Sequence, residues 1–431
     1  MKLNPLSLSC ILAVAALSAG CGDKDADDSG TTDDSATTNC NADGSVCYLT
    51  GEYTEDLTLT ADVSWVLQSG VFIGDDTSNT VLTIEPGTTI YGESSSLGML
   101  VIRRNARIEA AGTSSAPIVF TSDQPVGSRA AGDWGGLILN GNAPINVCYD
   151  GSEVLPCEAE GEGSTGTYGG DNPNDNSGTL QYVRVEFAGA LITSENELNG
   201  IAFQAVGSGT TVDYVQVHKN ADDGIEFFGG NANVKHVVIS GVGDDFTDWT
   251  DGWQGNAQFL VLQGAADAGD NGMEADNEED ANDATPRSMP TIANVTLIGT
   301  AGNDLGMLLR LGTAGDFHNF IIDGFGDGCI AVDGDASLAQ LAAGHLSFDH
   351  FMINCGTNFF EDDGTVEVAF LAGSGNSVSD PQLSGFVPGN SAAASGGAGP
   401  GGSFFTAAAY YGAIDPNGAD WTAGWTNFPE N

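Results

Sequence analysis

The sequence predicts an all-β chain coiled as one parallel β-helix, and three observations predict it. Short apolar runs rich in Val, Ile and Phe recur, each bounded by Gly, Asn or Asp, which is strand-and-turn patterning. The runs align as a repeat, with steps of 22 to about 35 residues between equivalent positions; the shortest step is about one coil and the longer ones imply loops. Within each run apolar residues alternate with polar ones, as at Val183 and Val185 or Val215 and Val217. Alternation places every second side chain in the bore. A length of 431 residues suggests two or three ordinary domains. A solenoid grows by adding coils, so a single long domain accommodates it.

The chain opens with "MKLNPLSLSCILAVAALSAGC": a basic start, an apolar run, then small residues before a cysteine. This resembles a secretory leader ending in a bacterial lipobox. Residues 1–20 are expected to be a lipoprotein signal peptide, and Cys21 the lipid-bearing first residue of the mature chain. Gly22 stands where Asp would retain a lipoprotein at the inner membrane. The expected address is therefore the bacterial outer membrane, at the cell surface or its periplasmic face. No other stretch is long and apolar enough to span a bilayer. Residues 21–45 form an acidic segment without large apolar side chains, expected to be a disordered tether.

The helical coil is expected over 46–372. Its first third carries "VLTIEPGTTIYG" and "LVIRRNARIEAAGT". Between Asn146 and Gly178 lies a Gly- and Asn-rich excursion containing a literal GxGxxG, Gly161 to Gly166. No strand pattern precedes it and no helix pattern follows, so it is not a dinucleotide site. From Leu180 onward the repeat is clearest: "LQYVRVEFAG", "VDYVQVHKNADDG", "VKHVVISGVGDD", "QFLVLQG", "IANVTLIGTAGND", "FHNFIIDGFGDG" and "FDHFMINCGTN". Residues 373–431 turn Gly- and Ala-rich. Because a solenoid exposes an apolar end, Phe404, Tyr410, Trp421 and Trp425 are expected in a C-terminal cap. Sugar stacking is the alternative for the two tryptophans.

With Cys10 in the leader and Cys21 bearing lipid, six cysteines remain. An even number in an exported chain favours disulfides. Fifteen connectivities are open; sequence neighbours give Cys40 with Cys47, Cys148 with Cys157 and Cys329 with Cys355. The last two close successive turns, one coil apart.

The formal net charge is -48, and lysine occurs only at Lys2, Lys24, Lys219 and Lys235. Nucleic acid is excluded as a partner, because phosphate contacts need clustered Lys and Arg. Divalent cations and neutral surfaces suit such a chain. One acidic pattern is written three times: Asp222, Asp223 and Glu226; Asp244, Asp245 and Asp248; Asp270, Asn271 and Glu274. On successive coils these residues would stack about 4.8 Å apart in three columns, with Asn303 and Asp304 extending the first two and Met307 ending the third. Two bare carboxylates at that spacing repel by roughly 1 to 3.5 kcal/mol. A column therefore raises its pKa values or recruits cations. Calcium suits it best, taking about six to eight oxygen ligands in flexible geometry. The expected metal ligands are Asp222, Asp223, Glu226, Asp244, Asp245, Asp248, Asp270 and Glu274. The alternative is a solvated charged edge that discourages aggregation.

"EPGTTIYG", "GDWGGLILNGNAPIN", "LQYVRVEFAG", "DDGIEFFGG", "TPRSMPTIANVTLIG" and "DWTAGWTNF" resemble a family of exported bacterial proteins, many of them lipoproteins. These in turn are similar to the pectate-lyase-like right-handed β-helices. The likeness runs from about residue 50 to the end. It implies right-handed coiling and export, and it assigns no activity. Polysaccharide lyases of that fold combine calcium with a Lys or Arg base, for which His218, Lys219, Lys235 and Arg310 are the nearby candidates. Inverting glycosidases use two carboxyls about 6.5 to 9.5 Å apart, a separation that Asp223, Asp244 and Asp245 suit. Either would need a groove with aromatic walls near Trp249 and Trp253. The expected function is a membrane-anchored, calcium-binding scaffold or adhesin-like module contacting glycans or a surface protein. The alternative is a glycan-cleaving enzyme, a polysaccharide lyase or a glycoside hydrolase.

Overall fold

The computed structural model describes residues 36–148, 155–193 and 196–431. The expected leader, Cys21 and most of the tether lie outside the described residues. Among the described residues, 25 strands form one continuous sheet wound into a coil, parallel everywhere except in the opening hairpin. The architecture is a right-handed parallel β-helix.

The coil has three faces. Strands Thr211–His218, Val234–Ser240, Asn256–Gln263, Thr291–Ile298 and Gly315–Asp323 each bend once and supply two of them. The third is built from Ile201–Gln204, Ile225–Phe228, Thr247–Thr250, Met273–Ala275 and Leu305–Leu309. Register follows the sequence repeat: Val183 pairs with Val215, Val215 with Val237 and Val237 with Leu260. The bore is apolar and layered. Phe227 stacks on Phe203 at 5.2 Å and on Trp253 at 4.0 Å.

The bend in each long strand falls on a residue in the left-handed region: Tyr182, Tyr214, His236, Phe259, Asn294 and Asn319, with φ between 49° and 63°. Such a conformation costs a non-glycine residue about 1–3 kcal/mol. Stacking offsets it. Tyr182 lies 4.4 Å from Tyr214, Tyr214 lies 4.3 Å from His236, and His236 lies 5.0 Å from Phe259.

The C-terminal tryptophans do not cap the end of the coil. The segment 398–431 runs lengthwise along the flank, across the column of bends. Trp425 is buried against Tyr182, Tyr214, Val238 and Val261, which also leaves no face for a sugar. Gln258 clamps Thr406 through both backbone groups (2.7 and 2.8 Å), and Gln216 clamps Asn427 in the same way (2.6 and 2.9 Å). The strap is held there because outward amide side chains imitate a strand edge. The end of the coil is covered instead by the helix Thr365–Ala372, whose Phe370 packs on Phe348, Phe351 and Phe359. At the other end order begins before residue 46: Thr37–Cys40 pairs antiparallel with Val46–Tyr53. The three sequence-neighbour disulfides are present, with Cα separations of 4.0, 4.6 and 5.5 Å.

Candidate metal centre

The three acidic copies lie where the turn enters the third face. Glu226 pairs with Asp248 and Asp248 with Glu274 in parallel register, so the third column forms as the sequence implies. In the second column Asp223 Oδ1 accepts the backbone N–H of Asp245 (2.9 Å), and Asp245 Oδ1 accepts that of Asn271 (2.6 Å). One oxygen of each carboxylate is thus spent on holding the turns in register. In the first column the Asp270 N–H donates to Asp244 O at 2.9 Å. Gly224 permits this close stacking, since a Cβ there would lie 2.5 Å from Phe246 O.

The fourth coil departs from expectation by one residue. Asp304 continues the first column, its N–H donating to Asp270 O at 2.8 Å. Leu305 follows in the second, and Leu308, not Met307, pairs with Glu274 in the third. Asn303 turns inward and donates to Ala268 O and Gly269 O, both at 2.9 Å.

Four groups of three carboxylates result, each with oxygens within 4.8 Å of one another: Asp222, Asp223 and Asp244; Asp223, Glu226 and Asp248; Asp244, Asp245 and Asp270; Asp245, Asp248 and Glu274. They form two tiers, one between the first and second acidic turns and one between the second and third. Each tier has an inner and an outer group. Asp223, Glu226 and Asp245 are only 7, 9 and 4 % exposed. An all-oxygen set of this density fits a hard metal cation.

Sequence reasoning missed the walls. The excursion folds back as a hairpin, and Ala159 and Tyr168 pack on Ile138, Ala202 and Phe228 of the third face. This sets Glu162 beside the ladder, while the segment Asn196–Glu197 brings Glu197. Asn199, one coil earlier, donates from Nδ2 to Glu226 Oε2 (2.6 Å). Its position was readable, because "NGI" at 199–201 repeats "DGI" at 223–225. Asp276 and Arg310 flank the other tier. Arg310 Nε donates to both Asp276 oxygens (2.9 and 3.1 Å), and its Nη2 pairs with Glu274.

Electrostatics follow from burial. Desolvation, then Asp248, pushes both Asp223 and Glu226 well up. Desolvation, then Glu274, does the same to Asp245 and Asp248. Asp222 rises to about 7 through burial, Glu197 and Asp244. Glu162 rises to about 8 through burial, Asp222 and Glu197. Glu274 rises to about 7 through burial, with Arg310 working against the shift.

A family model described as a pectate-lyase-like β-helix domain matches residues 51–426. The chain belongs to this family. No curated protein and no solved structure matches it. Within this pectate-lyase-like β-helix most of the expected catalytic furniture lies elsewhere. Trp249 and Trp253 are fully buried in the bore and wall no groove, because Trp249 alternates with the outward Asp248. His218, Lys219 and Lys235 face the C-terminal strap, bonding to Pro429 O, Glu430 and Phe404 O. Of the four candidate bases, Arg310 alone stands at the ladder.

Proposed function

We propose that this β-helix is a divalent-cation-binding module whose ion is calcium, and that it serves as a surface scaffold presenting its flank to glycans or to a surface protein. One observation carries the reading. Asp223, Glu226 and Asp245 are more than nine-tenths buried, yet Arg310 is the one Lys, Arg or His among the described residues in ion-pair contact with the ladder. Buried like charges without partners are costly, and a cation offsets that cost. Calcium is favoured over magnesium because stacked Asp and Glu side chains give many oxygens and no enforced octahedron. Titration calorimetry of the chelated chain in 0.15 M NaCl tests it: calcium should bind with a defined stoichiometry and raise the melting temperature. Absence of both would overturn it. The same proposal places the chain on the bacterial outer membrane through a lipid on Cys21, which mass spectrometry of the native N-terminus tests. A glycan array on the calcium-loaded chain tests the partner.

One feature favours a glycan-cleaving enzyme as the second reading. Glu162, Tyr168, Phe228 and Asp251 line a cavity of about 340 Å³ beside the ladder. Burial, Asp222 and Glu197 hold Glu162 protonated near neutrality. Asp251 rises only to about 6, because the Tyr168 hydroxyl (3.0 Å) counters its burial. An acid and a base with separated titrations suit glycoside hydrolysis. Release of reducing ends from neutral glycans, lost in Glu162→Gln, would support this reading; no release from any glycan would sink it.

A further inference from the structure

We infer that the ladder holds one tightly bound divalent cation rather than two. The ion sits in the inner group Asp223, Glu226 and Asp248, and the Arg310 guanidinium is the resident counter-ion of the other inner group. This rests on the cation-binding reading above and adds which tier binds.

The two inner groups have the same carboxylate density but different surroundings. In the group Asp245, Asp248 and Glu274, Arg310 pairs with Glu274 and with the adjoining Asp276. A fixed positive charge occupies that place, and a metal ion entering it would meet a like charge in contact with its own ligand. In the group Asp223, Glu226 and Asp248, no Lys, Arg or His among the described residues is within ion-pair distance. Two enclosed oxygens adjoin this group without hydrogen-bond partners. Asn199 is 1 % exposed and binds Glu226 through Nδ2, yet its Oδ1 has no hydrogen-bond partner. Asp248 Oδ1 is likewise enclosed without a partner; because Asp248 is common to both inner groups, Asn199 is the residue that distinguishes this one. Buried polar atoms are almost always satisfied, and an electrophile beside Asp223 and Glu226 would satisfy these. The outer group Asp222, Asp223 and Asp244 adjoins the inner one through Asp223. Asp244 is exposed, so a hydrated ion has a path inward along carboxylates.

The test is calcium stoichiometry on the full chain, by calorimetry in 0.5 M NaCl to screen loosely held ions. Wild type should bind one ion tightly and Arg310→Met two. Arg310→Lys, which keeps the charge, should bind one. Glu226→Gln should lose the ion and Glu274→Gln should retain it, a comparison that does not depend on whether Arg310→Met folds. Asn199→Ala should weaken binding roughly 10- to 100-fold, as expected for a partner that orients a ligand. No tight ion in wild type would overturn the cation reading itself. One ion in wild type and also in a folded Arg310→Met would overturn the counter-ion role, and two in wild type would overturn the single-ion inference, each leaving the cation reading intact. Loss of the ion in Glu274→Gln with retention in Glu226→Gln would overturn the choice of tier.

Discussion

Asp223 and Asp245 are joined by a hydrogen bond from the Asp245 backbone N–H to Asp223 Oδ1, 2.9 Å long and buried. The same oxygen position is served in the next step by Asp245 toward Asn271. An amide oxygen can make this bond as well as a carboxylate can, and Asn271 and Asn199 already occupy the same column. The bond therefore explains why positions 223 and 245 need an acceptor. It does not explain why two of the four are charged. The charge answers to something else, and the separation of the two roles makes the site open to isosteric substitution.

Asp223→Asn should keep the bond to Asp245 and remove one buried ionisable carboxyl. In chelator the variant should be more stable than wild type by about 1–2 kcal/mol, since a neutral amide replaces a carboxyl that burial and Asp248 hold well above its ordinary range. Added calcium should raise its melting temperature much less than that of wild type. Thermal melts of both proteins in chelator and in calcium check it. A solvated charged edge would instead give equal calcium responses.

Stability without metal should fall as pH rises. Glu162, Asp222, Glu274 and Asp251 titrate at about 8, 7, 7 and 6 in the folded chain, whereas ordinary carboxyls titrate at roughly 4. Between those values the native state holds protons that the unfolded chain has released, so unfolding is increasingly favoured as pH rises. The contribution is complete below about pH 4 and is lost through 6 to 8. Calcium should oppose this trend, because it competes with protons for the same oxygens. Melting temperatures at pH 5 and pH 8, in chelator and in calcium, give the four values needed.

The strap should be essential to the fold rather than an accessory. Trp425 is 1 % exposed and wedged edge-on against Tyr182 and Tyr214. Trp425→Ala should cost about 3–5 kcal/mol and expose the segment after Ala398 to proteolysis. Denaturant unfolding and limited digestion would show it. An unchanged digestion pattern would mean that the glutamine clamps at Gln216 and Gln258 suffice.

What the sequence made legible and what it hid divide along one physical line. Coil register is local and periodic, so Val215 over Val237 and Glu226 over Asp248 could be read from alternation. The slip at Asn303 and Asp304 arose because "GND" and "GDN" satisfy the same turn pattern, and only the backbone bond from Asp304 to Asp270 decides between them. Loop docking leaves no period. Nothing in the excursion announces that Glu162 will lie against Asp222, or that the tail will run along the flank through Gln216 and Gln258. Trp249 looked like a groove wall because aromatic residues next to acids suit sugar. Strand alternation beside Asp248 sends it into the bore.

The disulfide between Cys329 and Cys355 offers the last prediction. It links successive coils at the C-terminal end, with Cα atoms 5.5 Å apart and 26 residues of sequence separation. Cys329 is fully buried among bore residues, so the bridge pins the last coils, next to the capping helix Thr365–Ala372. Closing a loop of that length restricts the unfolded chain by about 3–4 kcal/mol. Double replacement Cys329→Ala and Cys355→Ala should lower stability by up to that amount. Because a solenoid's coils contact mainly their neighbours, the loss should concentrate at this end. Hydrogen exchange should quicken first in Leu346–Asp349 and Met352–Asn354 and leave Ile225–Phe228 protected. Calcium affinity at Asp223, Glu226 and Asp248, separated from Cys329 by the strands Met273–Ala275 and Leu305–Leu309, should stay unchanged. Exchange that rises equally along the whole coil would show that the helix unfolds as one unit, and the bridge would then act on global rather than local stability.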